Sequence, residues 1–187
     1  MQTPRLIQAH EALLLVIDMQ DRFIPVLHDV ERVLTRQKQL IKGCNLLNVP
    51  VLVSEHYPKG LGSTDQGLMG VLERQNPPAI VEKTHFGCCG EPGFMDTLKG
   101  FDRTQVLVCG IEAHVCVNQT VIGLLAAGYE VFLVEDAITA RNPAHTELAM
   151  RKLTALGAVP CNVEMALFEL MVEAKHPQFK AVQALIK

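Results

Sequence analysis

The sequence lacks most of the short signatures that assign a chemistry at sight. No Gly-x-x-x-x-Gly-Lys-[Ser/Thr] loop and no Gly-x-Gly-x-x-Gly follows an apolar run, so the usual phosphate cradles of nucleotide-binding proteins are missing. There is no Gly-x-Ser-x-Gly elbow for a serine nucleophile. There is no Cys-x-x-Cys either, which removes the common zinc and dithiol redox patterns. Charge of one sign is not concentrated anywhere: 17 Lys and Arg stand against 20 Asp and Glu, for a net −3, and the cations are scattered. That composition gives no reason to expect nucleic acid as a partner. Long apolar runs are absent too. The longest uncharged stretch, Ala113 to Tyr129, carries His114, Asn118, Gln119 and Thr120 and makes a poor membrane span. Met1 to His10 lacks the apolar core of a secretory signal. The expectation is a cytoplasmic protein with no membrane partner.

What is present suits a globular protein. Hydrophobic residues make up 49% of the 187 and charged residues 20%, enough for one domain, 1–187, with a substantial core. The six cysteines sit mostly among apolar neighbours and read as reduced thiols. Cys44 lies in a helical stretch and Cys109 and Cys161 in strand-like stretches, where a thiol is a small buried hydrophobe.

Short apolar runs alternate with helical patterns along the whole chain, with no internal repeat. Strands are expected at Leu13 to Ile17, Val51 to Val53, Ala79 to Val81, Gln105 to Cys109, Glu130 to Val134 and Ala158 to Cys161. Helices are expected at Val30 to Leu47, Leu68 to Arg74, Phe94 to Leu98, from Cys116 onward, from Asn142-Pro143 to Leu156, and at Val163 to Leu170 and Phe179 to Ile186. Pro143 suits a first helical position and Gly157 a C-terminal cap. Strand and helix in alternation imply a central, mainly parallel six-stranded sheet between two helical layers, a Rossmann-like three-layer α/β/α sandwich. The unbroken apolar runs suit strands buried on both faces. Ligands of such sheets bind beyond the carboxyl ends of the strands. Asp18, Ser54-Glu55-His56, Lys83, Gly110 to Cys116 and Asp136 all fall at that edge.

Three of these residues carry potential chemistry. Cys116 opens a helical pattern after a strand and a tight loop, where unpaired N–H groups and the helix dipole favour thiolate. It reads either as one more buried thiol or as a nucleophile. Asp18 closes the first strand and reads either as a loop-capping carboxylate or as the base that takes the thiol proton. Lys83 ends a strand and reads either as half of a surface ion pair or as the cation that holds a thiolate ionised. His56, His85, Cys88, Cys89 and His114 could supply metal ligands, but their spacing matches no common zinc site, so neither metal nor other cofactor is expected.

Val16-Ile17-Asp18-Met19-Gln20, Glu82-Lys83-Thr84-His85-Phe86 and Gly110-Ile111-Glu112-Ala113-His114-Val115-Cys116 resemble, in this order, the three signature blocks of the isochorismatase-like cysteine hydrolases. Leu52 to Gly62 and His176 to Lys180 resemble the subgroup called isochorismatase domain-containing proteins. The resemblance implies a triad of Asp18, Lys83 and Cys116, and hydrolysis of a small carboxamide or related C–N bond through a Cys thioester. It further implies a cis peptide between Ile111 and Glu112, and an oxyanion hole made by the backbone N–H groups of Glu112 and Cys116. It places Phe23, Tyr57 and His114 as candidate substrate-binding residues and suggests a homo-oligomer, dimer or tetramer, with Ala181 to Ile186 a possible part of the interface. Where metal-binding nicotinamidases carry Asp-x-His, this chain has Ser54-Glu55-His56. Where many relatives carry Ser-Ala-Phe after the lysine block, it has Gly87-Cys88-Cys89. Two alternatives keep the fold: a binding or scaffold protein with a vestigial site, and a thiol redox sensor acting through Cys116.

Overall fold

The computed structural model describes residues 6–73 and 78–187. Met1 to Arg5, and the Arg74 end of the helix expected from Leu68, lie outside the described residues. Six strands form one sheet: β1 (Ala12–Ile17), β2 (Val51–His56), β3 (Ala79–Lys83), β4 (Gln105–Gly110), β5 (Glu130–Ile138) and β6 (Val159–Cys161). Their order is β3-β2-β1-β4-β5-β6, and every pairing is parallel. Each strand after the first is reached through helical chain: α1 (Val30–Leu46), α2 (Pro58–Leu61), α3 (Gln66–Leu72), α4 (Phe94–Lys99), α5 (Asn118–Ala126) and α6 (Pro143–Ala155). Two closing helices follow, α7 (Val163–Met171) and α8 (Phe179–Ile186).

Period-two alternation divides the central strands between two cores. Leu14 and Val16 of β1, with Leu107 and Cys109 of β4, join α1, α3 and α7 on one face. Leu13, Leu15 and Ile17, with Val106 and Val108, join α4, α5 and α6 on the other. Both faces are dry, which is why the strands read as continuous apolar runs rather than alternating ones. Each fully buried leucine in these layers contributes ~2 kcal/mol through apolar burial. Caps set two helix starts: Asn142 accepts from the Ala144 N–H at 3.0 Å and Asn162 from the Met165 N–H at 2.8 Å.

The chain leaves β1 for β2 and β3, then crosses back so that β4 pairs with the other side of β1. Helices leave β1 and β4 toward opposite faces, which opens a crevice at their carboxyl ends, the place where such sheets hold ligands. The ladder is closest there. Gly110 takes φ +118, and a Cβ added to it would lie 2.1 Å from the Ile17 carbonyl oxygen. Only glycine fits that contact.

Several expectations change in detail. The helix after β4 does not begin at Cys116; residues 113–117 form a π-helical turn before α5, in which the Val117 N–H reaches the Glu112 carbonyl at 3.2 Å. The Ala113 N–H donates to Thr139 O at 2.9 Å and ties this turn to the end of β5, which holds the backbone wider than an α-helix. Strand β5 runs past Val134 to Ile138, carrying the polar Glu135-Asp136 step. Asp136 accepts the Val163 N–H at 2.9 Å and pairs with Arg36 at 3.4 Å. Helix α8 packs on α1 and α7 of its own chain with Val182 fully buried, so that side of the closing segment belongs to the monomer core.

Candidate active site

Asp18, Lys83 and Cys116 meet at the crevice. Asp18 is the first residue beyond β1, fully buried, and its backbone turns out of the strand at φ +52, a left-handed conformation that strains a non-glycine residue by ~1–2 kcal/mol. The surroundings hold it there. Its N–H donates to Ser54 O at 3.1 Å, and its carbonyl accepts the Gln20 N–H at 2.8 Å. Gln20, also fully buried, binds across the neighbouring turn: its amide donates to His56 O at 3.0 Å and Gly62 O at 2.6 Å, and accepts the His56 N–H at 2.7 Å.

Lys83 comes from β3, two strands away, ~10 Å in sheet spacing. A long side chain is therefore needed to reach over β2. Its ammonium meets Asp18 Oδ2 at 2.7 Å, with both side chains 1% exposed. The other hydrogens go to His85 O at 3.2 Å and Phe86 O at 3.1 Å, and His56 Nδ1 lies 3.5 Å away. Three hydrogens thus face three oxygens. Burial pulls the ammonium toward neutrality, but the Asp18 charge and hydrogen bond, together with the neighbouring thiols Cys116 and Cys88, outweigh it and hold the lysine above its ordinary pKa. His56 moves the other way. Burial and the Lys83 charge lower it, so its ring, stacked on Phe86, stays neutral at neutral pH.

Cys116, 6% exposed, lies in the π-helical turn beside this pair. The expectation of a depressed thiol does not hold. Burial, then the Asp18 charge, pushes the thiol up to about 12, and Lys83 offsets only part of this. The physical reason is that Lys83 spends its hydrogens on Asp18 and two carbonyls rather than on sulfur, while the helix dipole acts only over the first turn of α5. At rest the site holds a protonated thiol facing a carboxylate that can take its proton. The other cysteines are also reduced, and burial raises Cys44 and Cys161 to about 12.

The Ile111–Glu112 peptide is trans, since no cis peptide bond occurs among the described residues. This corrects the expected cis bond: the reversal after β4 is made by Gly110 at φ +118, and Ile111 N–H continues the ladder to Ile17 O at 2.9 Å. Among the described residues the Glu112 N–H donates to no protein acceptor. The Glu112 side chain is anchored away from the sheet, accepting the Arg141 N–H and Nε–H, each at 3.0 Å. Burial alone would raise its carboxyl, but the Arg141 backbone N–H and guanidinium hold it below the ordinary range.

The remaining candidates are placed unevenly. Tyr57, at φ +39 and 54% exposed, borders a cavity of about 320 Å³ together with Lys83, Pro58 and Glu91. His114 is half-buried two residues before Cys116, its ring 4.5 Å from that of His145, and burial lowers its pKa. Phe23 packs against the core on the α1 face. Sequence reasoning gave no role to Ser54, whose hydroxyl donates to Asp18 Oδ1 at 2.7 Å, or to Arg141. For Ser54 the available signal was a small hydroxyl at a strand end one step from Asp18. Cys88, fully buried, adds a second thiol behind this group and donates its N–H to Thr120 Oγ1 at 2.9 Å. Among the described residues no three His, Cys, Asp or Glu side chains gather in a way that could hold a metal ion, and no helix is long and apolar enough to cross a membrane.

Comparison with known proteins places this arrangement in context. The family model for the isochorismatase domain matches residues 12–165. Isochorismatase domain-containing protein 2 of Danio rerio is 35% identical over 178 residues, 94% of this chain and 86% of that protein. The structure of MAR1 ribonuclease from Caenorhabditis elegans superposes with a TM-score of 0.91 at 36% identity, covering 98% of this chain and 92% of that one. The octameric hydrolase of unknown specificity that is the YcaC gene product of Escherichia coli superposes at 0.89 with 17% identity, covering 98% and 90%.

Proposed function

The chain belongs to the isochorismatase family, and from that premise we propose that it is a cysteine hydrolase cleaving a small carboxamide or related C–N bond through a thioester on Cys116. The observation that carries this reading is the contact at 2.7 Å between buried Asp18 and Lys83 next to a buried, protonated thiol.

In the proposed course Asp18 takes the Cys116 proton as Sγ bonds to the substrate carbonyl carbon. The π electrons move to oxygen, and the oxyanion forms at the unengaged Glu112 N–H, with Cys116 N–H as the second donor. One such donor is worth ~3 kcal/mol of transition-state stabilisation. Collapse expels the amine, which leaves with the proton held by Asp18. Water then attacks the thioester, gives a proton to Asp18, and releases the acid as the proton returns to sulfur. Lys83 keeps its charge throughout and balances Asp18 in a site where an unpaired carboxylate would be costly. This division of labour needs no thiolate in the resting enzyme, which fits a thiol pushed up by burial.

The substrate enters as a small molecule, with Tyr57, His114 and Phe23 as candidate contacts, and the chain acts as a homo-oligomer in the cytoplasm. Assay of a panel of amides, ureas and esters tests the reading. Turnover that disappears in Cys116→Ala and in Asp18→Asn, with both variants folded, supports it. A reactive Cys116 without turnover of any panel member favours a binding protein, and peroxide oxidation of Cys116 far faster than of the other thiols favours a redox sensor. An RNA substrate belongs in the panel because of what the C. elegans protein is called; cleavage of RNA that survives in Cys116→Ala would overturn the cysteine mechanism.

A further inference from the structure

Between Asp18 and Cys88 lies a fully buried hydroxyl, that of Ser54, to which nothing above assigns a part in the reaction. We infer that Ser54 is a positioning residue that fixes the Asp18 carboxylate in the orientation needed for proton transfer, an inference that rests on the hydrolase reading of the same site.

The geometry is specific. Ser54 sits on β2 directly opposite Ile17 of β1, so the residue beyond Ile17 is within reach of both its backbone and its side chain. The Ser54 carbonyl accepts the Asp18 N–H at 3.1 Å, and the Ser54 hydroxyl donates to Asp18 Oδ1 at 2.7 Å. Lys83 occupies the other carboxylate oxygen, Oδ2, at 2.7 Å. Each oxygen therefore has a donor from a different strand, and the carboxylate plane is held at both ends. With Lys83 alone, the carboxylate could turn about its Cβ–Cγ bond and keep its ion pair while losing its aim at sulfur. A hydroxyl has a single hydrogen, and the charged carboxylate is a better acceptor for it than the neighbouring Cys88 sulfur. Alanine at this position would leave Oδ1 of the fully buried Asp18 without its Ser54 donor.

The position of Ser54 also matters for the backbone. Asp18 holds a left-handed φ of +52 with nothing intrinsic to aspartate requiring it, and the two Ser54 contacts fasten both its N–H and its side chain in that turn. A one-residue shift in the register of β1 and β2 would move the hydroxyl to the other face of the sheet.

The test compares wild type, Ser54→Ala, Ser54→Thr and Cys116→Ala by steady-state kinetics across pH and by the rate of Cys116 alkylation with chloroacetamide. Losing one hydrogen bond to a charged group corresponds to a fall of about tenfold in kcat. The inference expects this in Ser54→Ala with KM unchanged, an altered pH profile, and recovery in Ser54→Thr. A merely structural role would lower the folded fraction and leave the pH profile and the kcat-to-KM split of the folded enzyme unaltered. Wild-type turnover with an unchanged Ser54→Ala profile overturns the inference and leaves the hydrolase reading standing. If wild type turns over nothing in the panel, the hydrolase reading fails, and alkylation alone decides the role of Ser54. Cys116 alkylation slowed at least threefold in Ser54→Ala but not in Ser54→Thr supports it, and equal rates overturn it.

Discussion

Substituting Gly110 by alanine tests the contact that brings the ends of β1 and β4 together. The new Cβ would sit 2.1 Å from the Ile17 oxygen, 2.6 Å from its nitrogen and 2.8 Å from its carbonyl carbon, all backbone atoms that cannot rotate away. Relief requires the two strands to part, at a cost of about 1–3 kcal/mol for overpacking. A φ of +118 adds about 1–3 kcal/mol for a residue with a side chain. Parting the strands also stretches the bond from the Ile111 N–H to Ile17 O, now 2.9 Å, for about 1 kcal/mol. The sum is about 3–7 kcal/mol, a large share of the total for a protein of this size. Gly128 is the control. It takes φ +88 with nothing within 4 Å of its added Cβ, so alanine there should cost only ~1 kcal/mol. Urea unfolding of the two variants reads the difference. If Gly110→Ala loses less than ~1 kcal/mol, or no more than Gly128→Ala, the close approach is not a constraint and the reasoning fails.

Further outcomes follow from the site and from the caps around it. Alkylation of Cys116 at its own thiol should keep rising with pH well past 9, because the folded thiol is pushed up to about 12 from an ordinary value of 9.0; a rate that levels off near neutral pH would contradict a protonated resting state. Buried thiols raised in this way also make stability fall as pH climbs above 9, since the unfolded chain loses those protons first. Arg141→Ala should lower stability by about 0.5 kcal/mol at neutral pH, an exposed guanidinium being screened by solvent. Since the Glu112 carboxyl is held below its ordinary 4.5, that contribution is present above the unfolded value and is lost as acid protonates the group. Urea unfolding at neutral pH and at about pH 3 should therefore show the gap between wild type and variant closing in acid; a gap that widens would contradict the assignment. Asn162→Ala removes the cap on the Met165 N–H and should cost ~1 kcal/mol by the same assay, with no loss of turnover by the folded fraction.

The sequence carried the fold well because each central strand is dry on both faces. Leu13 to Ile17 and Gln105 to Cys109 could hardly be anything but interior strands, and their ends named Asp18 and the Gly110 loop. Lys83 was legible from a weaker signal, the short apolar run of edge strand β3, where Ile80 is exposed, and that strand extends two residues beyond the run that marked it. What escaped depends on distances between segments far apart in the chain. The hydroxyl of Ser54 matters only because β2 lies beside β1 in one register. Arg141 matters only because the segment after β5 returns to Glu112. The thiol of Cys116 was misjudged in direction because the sequence shows a helix terminus but not the burial that outweighs it. Helix α5 begins later than the pattern suggested because Thr139, the residue just past β5, captures the Ala113 N–H. The short helix α2 was not among the expected helices; it forms where the Tyr57 carbonyl accepts from Gly60 and Leu61.

The central claim is that carbon–sulfur bond formation at Cys116 precedes hydrolysis. It is tested most directly by mixing the enzyme with an activated ester or amide from the panel, quenching in acid during turnover, and mapping the mass of the trapped acyl group by peptide analysis. The account predicts one acyl group on Cys116, none on Cys88 or Cys89, accumulation when the released amine leaves quickly, and no adduct in Cys116→Ala. An acyl group on another residue, or full turnover by Cys116→Ala, would contradict it.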